Sequence, residues 1–170
     1  MPGTGSLSFE RVEKEIGYMA ETLGSLCDKL TIVKLKQYHT EDSKRLESLA
    51  DQELQLCEEI DTYVGSAVKG NIPQEKLVFS SNKVYKMEGN EIREITGNIG
   101  NVFSELAKVN CELWHEQEKV YDFENVSPGE KDIVVKRLAL LNLSRNQCID
   151  AIDKQFQQII INKDQTKNYA

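Results

Sequence analysis

The chain holds two histidines, and each stands in the same short frame: an aromatic residue, then His, then an acid three positions on. The first frame is Tyr38-His39-Thr40-Glu41-Asp42 and the second is Trp114-His115-Glu116-Gln117-Glu118. On a helix, residues three apart share a face, so each frame can set an imidazole beside a carboxylate. If the frames meet, His39, Asp42, His115 and Glu118 supply two nitrogens and two oxygens, a donor set suited to one divalent metal such as Zn²⁺, Fe²⁺ or Mn²⁺. Di-metal bundles use Glu-x-x-His pairs and two further glutamates. Here the order is reversed, and the extra acids would have to be Glu53, Glu58 or Asp150. The competing reading needs no metal: a structural Arg–carboxylate–His network, or acids standing beside His on solvated faces, which a 29%-charged helical sequence produces often. Beyond that one ion, the sequence points to no cofactor.

Polar residues on otherwise apolar faces extend the candidate site. Asp28, Ile32, Leu35, His39, Asp42 and Leu46 recur at spacings of four and three, on one helical face. Asn110 and Gln117 occupy positions in another apolar stripe, with Trp114, His115 and Glu118 alongside. Arg145 occupies a third, and Asn146 follows it. A buried guanidinium needs partners, because an unpaired buried charge is costly. The candidates are Asp28, Asp42 and Glu118, and the expected result is an internal polar cluster that includes a histidine. Trp114, the single tryptophan, reads as a core anchor with its N–H bonded.

Other chemistries are less well supported. There is no Gly-rich phosphate loop, no G-x-S-x-G and no H-E-x-x-H. Cys111 precedes His115 by four, as a thiolate–imidazole pair would, but a small core residue is the plainer reading. Glu91-x-x-Glu94 matches one acidic box of helical nucleotide pyrophosphohydrolases, with no second box at a fitting distance. The four cysteines, Cys27, Cys57, Cys111 and Cys148, form no C-x-x-C pair and fall on or beside apolar stripes, where free cysteine acts as a small hydrophobe. A net charge of −7 argues against nucleic acid and anionic membrane, which need a cationic footprint. Lys29, Lys34 and Lys36 read as a solvated face. No apolar run reaches the ~20 residues of a membrane helix, and the reduced thiols fit a cytoplasmic protein.

These residues must be held by long helices. Val12, Ile16, Met19, Leu23, Leu26, Leu30 and Val33 give a helical period from Phe9 onward, with Gly17 and Gly24 marking a kink or break. Leu46, Leu49, Glu53, Cys57, Ile60, Val64 and Val68 give a second helix to about Lys69, stopped by Gly70 and Pro73. Residues 74–96 read as a small hairpin about Gly89-Asn90, with strands at 84–87 and 91–95, or equally as a short helix or an ordered loop. The third long stripe is Ile99, Val102, Phe103, Leu106, Asn110, Leu113, Gln117 and Val120. The last helix has the clearest start signal, Ser127-Pro128-Gly129-Glu130, a capping box with Pro in the first turn. Its stripe is Val134, Leu138, Leu141, Arg145, Cys148, Ile152, Phe156 and Ile159. The expected protein is all-α: an antiparallel bundle of four to five long helices in one domain over 8–162, with a tail at 1–7 and a frayed end at 163–170.

Three segments carry a family resemblance: Leu30-Thr31-Ile32-Val33-Lys34-Leu35-Lys36 leading to His39; Asn110-Cys111-Glu112-Leu113-Trp114-His115-Glu116-Gln117-Glu118; and Ala139-Leu140-Leu141-Asn142-Leu143-Ser144-Arg145-Asn146 with Asp150. Together they resemble a group of small bacterial all-helical proteins, domains of unknown function with a Lys-rich first motif, an Asn-x-x-Leu-Trp-His motif and a later Arg-Asn. The resemblance implies an all-helical fold and no particular activity. It places Asn110, Trp114, Glu118, Arg145 and Asn146 in those motifs. The leading functional expectation is a non-enzymatic binding or assembly protein that forms a homo-oligomer, with no small-molecule ligand identified. The alternative is a metal-dependent or small-ligand enzyme working through the His/carboxylate/Arg cluster.

Overall fold

The computed structural model describes residues 20–82 and 88–167. Four helices pack against one another: α1 (Leu23–Tyr38), α2 (Ser43–Lys69), α3 (Ile99–Tyr121) and α4 (Pro128–Lys167). No helix among the described residues is long and apolar enough to cross a membrane. The expected helical stretch before Leu23, with Gly17, and the strand expected at 84–87 lie outside the described residues.

Local chemistry sets each boundary. Thr22 caps α1 by accepting from Ser25 N–H at 3.3 Å, and Asp42 caps α2 by accepting from Arg45 N–H at 2.9 Å. The α2 terminus is a Schellman ending. Gly70 turns to φ +81°, its N–H returns to the Ala67 carbonyl at 3.1 Å, and Asn71 N–H reaches Ser66 at 2.9 Å. At the head of α4 the Ser127 carbonyl accepts from Glu130 N–H at 2.9 Å, while the Ser127 hydroxyl donates to the Glu130 carboxylate at 2.6 Å. That second bond differs from the expected capping box, in which the hydroxyl would have taken the amide.

Among the described residues the 74–96 stretch holds a 3₁₀ turn at Gln74–Lys76 and no strand. It is tied down instead by Ile72 and Leu77, both buried, and by Gln157 donating to the Gln74 carbonyl at 2.8 Å. Glu91 and Glu94 therefore lie on irregular chain, where Glu91 accepts from Gly89 N–H at 3.2 Å. A helical acidic box of the pyrophosphohydrolase kind is not formed. The end of the chain differs as well, since α4 continues past Ile161 to Lys167, with Lys163 donating to the Val68 carbonyl.

α1 runs antiparallel to α2 and α4, and α4 antiparallel to α3. α1 packs against all three other helices, whereas α2 and α3 meet each other at most marginally. Its buried residues accordingly spread around much of the helix: Leu23, Gly24, Leu26, Cys27, Asp28 and Val33. α2 and α3 have narrower inner faces in a regular rhythm. In α2 these are Leu46, Leu49, Glu53, Leu56, Ile60, Tyr63 and Ala67; in α3 they are Ile99, Val102, Leu106, Val109, Leu113, Glu116 and Val120. Both alternate steps of three and four, the 3.5-residue repeat of a left-handed bundle seam. Cys57 and Gln117, expected inside, are exposed because the seam passes through Leu56 and Glu116 instead. On α4 the seam ends on Ile160, leaving Ile159 exposed.

Candidate functional site

The innermost polar centre joins three helices. Arg145 on α4 donates from Nε to Asp28 Oδ1 at 2.8 Å and from Nη2 to Asp28 Oδ2, a two-point ion pair. Asn110 on α3 donates from Nδ2 to the same Oδ1 at 2.9 Å and to Thr31 Oγ1 at 2.7 Å; Thr31 passes its own proton to the Asp28 carbonyl at 2.7 Å. Asp28 is 4% exposed and Asn110 1%, while a third of the Arg145 side chain reaches solvent. The Asp28 bond raises the Arg145 pKa above its ordinary value, against the opposing effect of burial. Three donors thus take up the two Asp28 carboxylate oxygens. The Asn110 amide oxygen is buried with no partner among the described residues. Asn146, half-buried on the same helix, is not one of Asp28's partners.

Of the three acids that could have met Arg145, the partner is Asp28. Asp42 is occupied in capping α2, and Glu118 is exposed at the far end of α3. No histidine joins the pair: His39 closes the C-terminus of α1, about 16 Å along the axis from Asp28 at 1.5 Å per residue.

The two His frames do approach each other, at the bundle's rim. His39 stacks on Trp114, with ring centroids 4.8 Å apart and planes at 15°, and lies edge-on to His115 at 6.3 Å. Trp114 Nε1–H donates to Glu118 Oε1 at 2.9 Å, and the other Glu118 oxygen lies 3.5 Å from His115 Nδ1. Trp114 is thus half-buried with its N–H bonded. The proposed donor set is not assembled, because Asp42 turns to the α2 amides and Glu118 is shared between the indole and His115. Among the described residues no group of three or more His, Cys, Asp or Glu is arranged to hold a metal.

Two buried acids escaped the sequence reading. Glu116 lies in the α3 seam, 2.9 Å from Lys119 Nζ and 3.4 Å from Arg137 Nε, with its Oε2 buried and without a partner among the described residues. Asp153 on α4 is 2% exposed and accepts from Gly24 N–H at 2.7 Å. Burial pushes its carboxyl up to about 6, against the lowering effect of the Gly24 amide and the Thr22 side chain. Signals for both were present: the 3.5 repeat reaches Glu116, and a glycine in the first turn of α1 marks a close approach.

The thiols divide evenly. Cys27 and Cys148 are buried and pushed up to about 11, chiefly by desolvation, which makes them inert. Cys57 and Cys111 are exposed, contrary to the expectation of core positions, and His115 faces Glu118 in place of Cys111.

Between α2 and α3 a surface hollow of about 420 Å³ opens. Lys36, His39 and Thr40 line it from α1 and the turn after it, Arg45, Ser48 and Leu49 from α2, and Trp114 from α3.

The fold and its polar centres define an all-helical four-helix protein. Compared with known proteins, the chain matches no family model, no curated protein and no solved structure. The resemblance carried by the Asn-x-x-Leu-Trp-His and Arg-Asn motifs therefore assigns no family, and what stands of it is the all-helical fold.

Proposed function

We propose that the protein is a non-enzymatic binding and assembly protein that associates with copies of itself through its outward helix faces. The observation carrying this reading is a pair of complementary surfaces. Leu54 stands 61% exposed on α2, and its face carries the exposed acids Glu47, Asp51, Glu58 and Asp61, with Ala50 and Cys57 among them. On the first turns of α4, Ile133 (63% exposed) shares its outward face with Lys136 and Arg137, and with Glu130 one turn earlier. A single exposed leucine is ordinary. An apolar residue flanked by acids is complementary in charge to one flanked chiefly by cations, and a second copy of the chain supplies both halves. The internal groups support the non-enzymatic part: Asp28 and Arg145 satisfy each other, so the deepest polar centre holds helices together and leaves no free acid–base pair.

Sedimentation velocity across micromolar to millimolar protein tests the reading. The expected result is a reversible dimer that weakens with added salt, and weakens again in Leu54→Glu and in Ile133→Glu. A strict monomer at the highest concentration would overturn it.

A further inference from the structure

We infer that the hollow between α2 and α3 is a binding site for a small organic anion: a phosphate or carboxylate head on a flat or apolar body. This goes beyond self-association and does not depend on it. The first support is electrostatic. The chain carries net −7, and many of its cations are matched with acids, Lys34 with Glu53 and Lys119 with Glu116 among them. Lys36 and Arg45, from two different helices, converge on this hollow, and neither has an ion-pair partner among the described residues. Two unmatched cations on one concave surface of an acidic protein favour an anion there, at a place where the field of the rest of the molecule opposes it.

The second support is the composition of the wall. Ser48 and Thr40 put hydroxyls beside the two cations, as an oxyanion head requires. The same lining carries Leu49, one turn on from Arg45 along α2, and the Trp114 indole. The indole cannot swing freely, since His39 is stacked on it and Glu118 holds its N–H. The hollow thus combines two cations, two hydroxyls and a fixed apolar surface in one lining. Its volume lies in the range of small-ligand sites. A bare inorganic ion would leave the apolar wall unused, and a neutral aromatic would leave the cations unmatched, so the fitting ligand carries both parts.

The third support is structural. α2 and α3 barely meet, and the hollow lies between them, bounded by three helices and the α1–α2 turn. Within its lining, His39 at the end of α1 stacks on Trp114 of α3.

Trp114 is the chain's single tryptophan, so its fluorescence reports this site alone. The test titrates the full chain with phenyl phosphate, inorganic phosphate and phenylacetate, following fluorescence and, in parallel, calorimetric heat. Phenyl phosphate or phenylacetate is expected to bind saturably and at least about tenfold more tightly than inorganic phosphate, the tighter of the two identifying the head group. The Lys36→Gln/Arg45→Gln double variant is expected to weaken that binding by about tenfold or more. Ser48→Glu, which places an acid in the hollow, should act in the same direction and serves if the double variant misfolds. No saturable signal by either readout up to ~10 mM ligand, inorganic phosphate binding as tightly as the organic anions, or unchanged binding in the folded variants would each overturn the assignment.

Discussion

Gly24 N–H donates to Asp153 Oδ1 at 2.7 Å because Gly24 carries no side chain. A Cβ there would sit 2.4 Å from the Ile149 carbonyl oxygen and 3.0 Å from the Asp153 carboxylate oxygen. The first obstacle is main chain of another helix and cannot rotate away. In an ordinary helix Gly→Ala is stabilising by about 1 kcal/mol. Gly24→Ala is expected to reverse that sign, losing about 1–3 kcal/mol through forced separation of α1 and α4. Urea denaturation measures it, and a neutral or stabilised variant would show that the helices have room to move.

Asp153 ties the same contact to pH. Its native carboxyl lies at about 6, up from an ordinary 3.8, so the folded protein holds that proton more tightly than the unfolded chain does. The contribution to stability is complete below pH ~4, falls as pH rises to ~6, and is gone above that, about 3 kcal/mol in all. Glu21 is lowered below its ordinary value by Lys29 and Ser25 and therefore acts in the opposite sense, losing stability as pH falls. Comparison with Asp153→Asn, which keeps an acceptor for Gly24, separates the two. The variant is expected to be more stable than wild type at pH 7 and to converge with it toward pH 4. Parallel stability curves across that window would refute the burial-driven shift.

Removing one half of the Asp28–Arg145 pair leaves the other stranded. Arg145→Leu exposes a 4%-accessible carboxylate to its full desolvation cost, and because Arg145 is partly solvated the expected loss is about 2–3 kcal/mol, below the usual range for a fully buried pair. Asp28→Asn with Arg145→Leu is expected to cost less than the sum of the single changes. A double-mutant cycle by chemical denaturation gives the coupling, and strict additivity would mean the pair contributes nothing as a pair.

The cysteines offer a direct test of the seam. Cys57 and Cys111 are expected to react with a thiol reagent such as Ellman's in the native protein, and Cys27 and Cys148 only on unfolding. Mass spectrometry of the labelled chain assigns the sites. Fast native labelling of Cys148 would place the α4 seam elsewhere.

Much of the architecture was legible because its signals are local. Gly70 and Pro73 end α2 where expected, and Ser127-Pro128 begins α4. The position of Arg145 in the α4 stripe was legible from the cost of burying a guanidinium. The errors at Cys57 and Gln117 have one cause. Stepping by fours from Glu53 and Leu113 follows a straight helix of 3.6 residues per turn, whereas a supercoiled seam advances at 3.5 and falls back one residue, onto Leu56 and Glu116. Partner choice for Arg145 was not legible, since Asp28, Asp42 and Glu118 differ only in how the helices are laid side by side. Asp42 was drawn off by a local rule, N-capping, that was available in the sequence and went unused. Asp153 was missed because one first-turn glycine on α1 does not say which distant helix will lie against it.

The enclosure of α1 has a kinetic meaning. Asp28 waits for Arg145 across 117 positions, and the Gly24 amide waits for Asp153 across 129. During synthesis α1 emerges with a carboxylate and a main-chain donor whose mates on α4 are still unmade, and among the described residues before α4 only Asn110, on α3, reaches Asp28 from another helix. The last contacts of the helix that touches every other one therefore wait for α4, a long-range closure of the bundle.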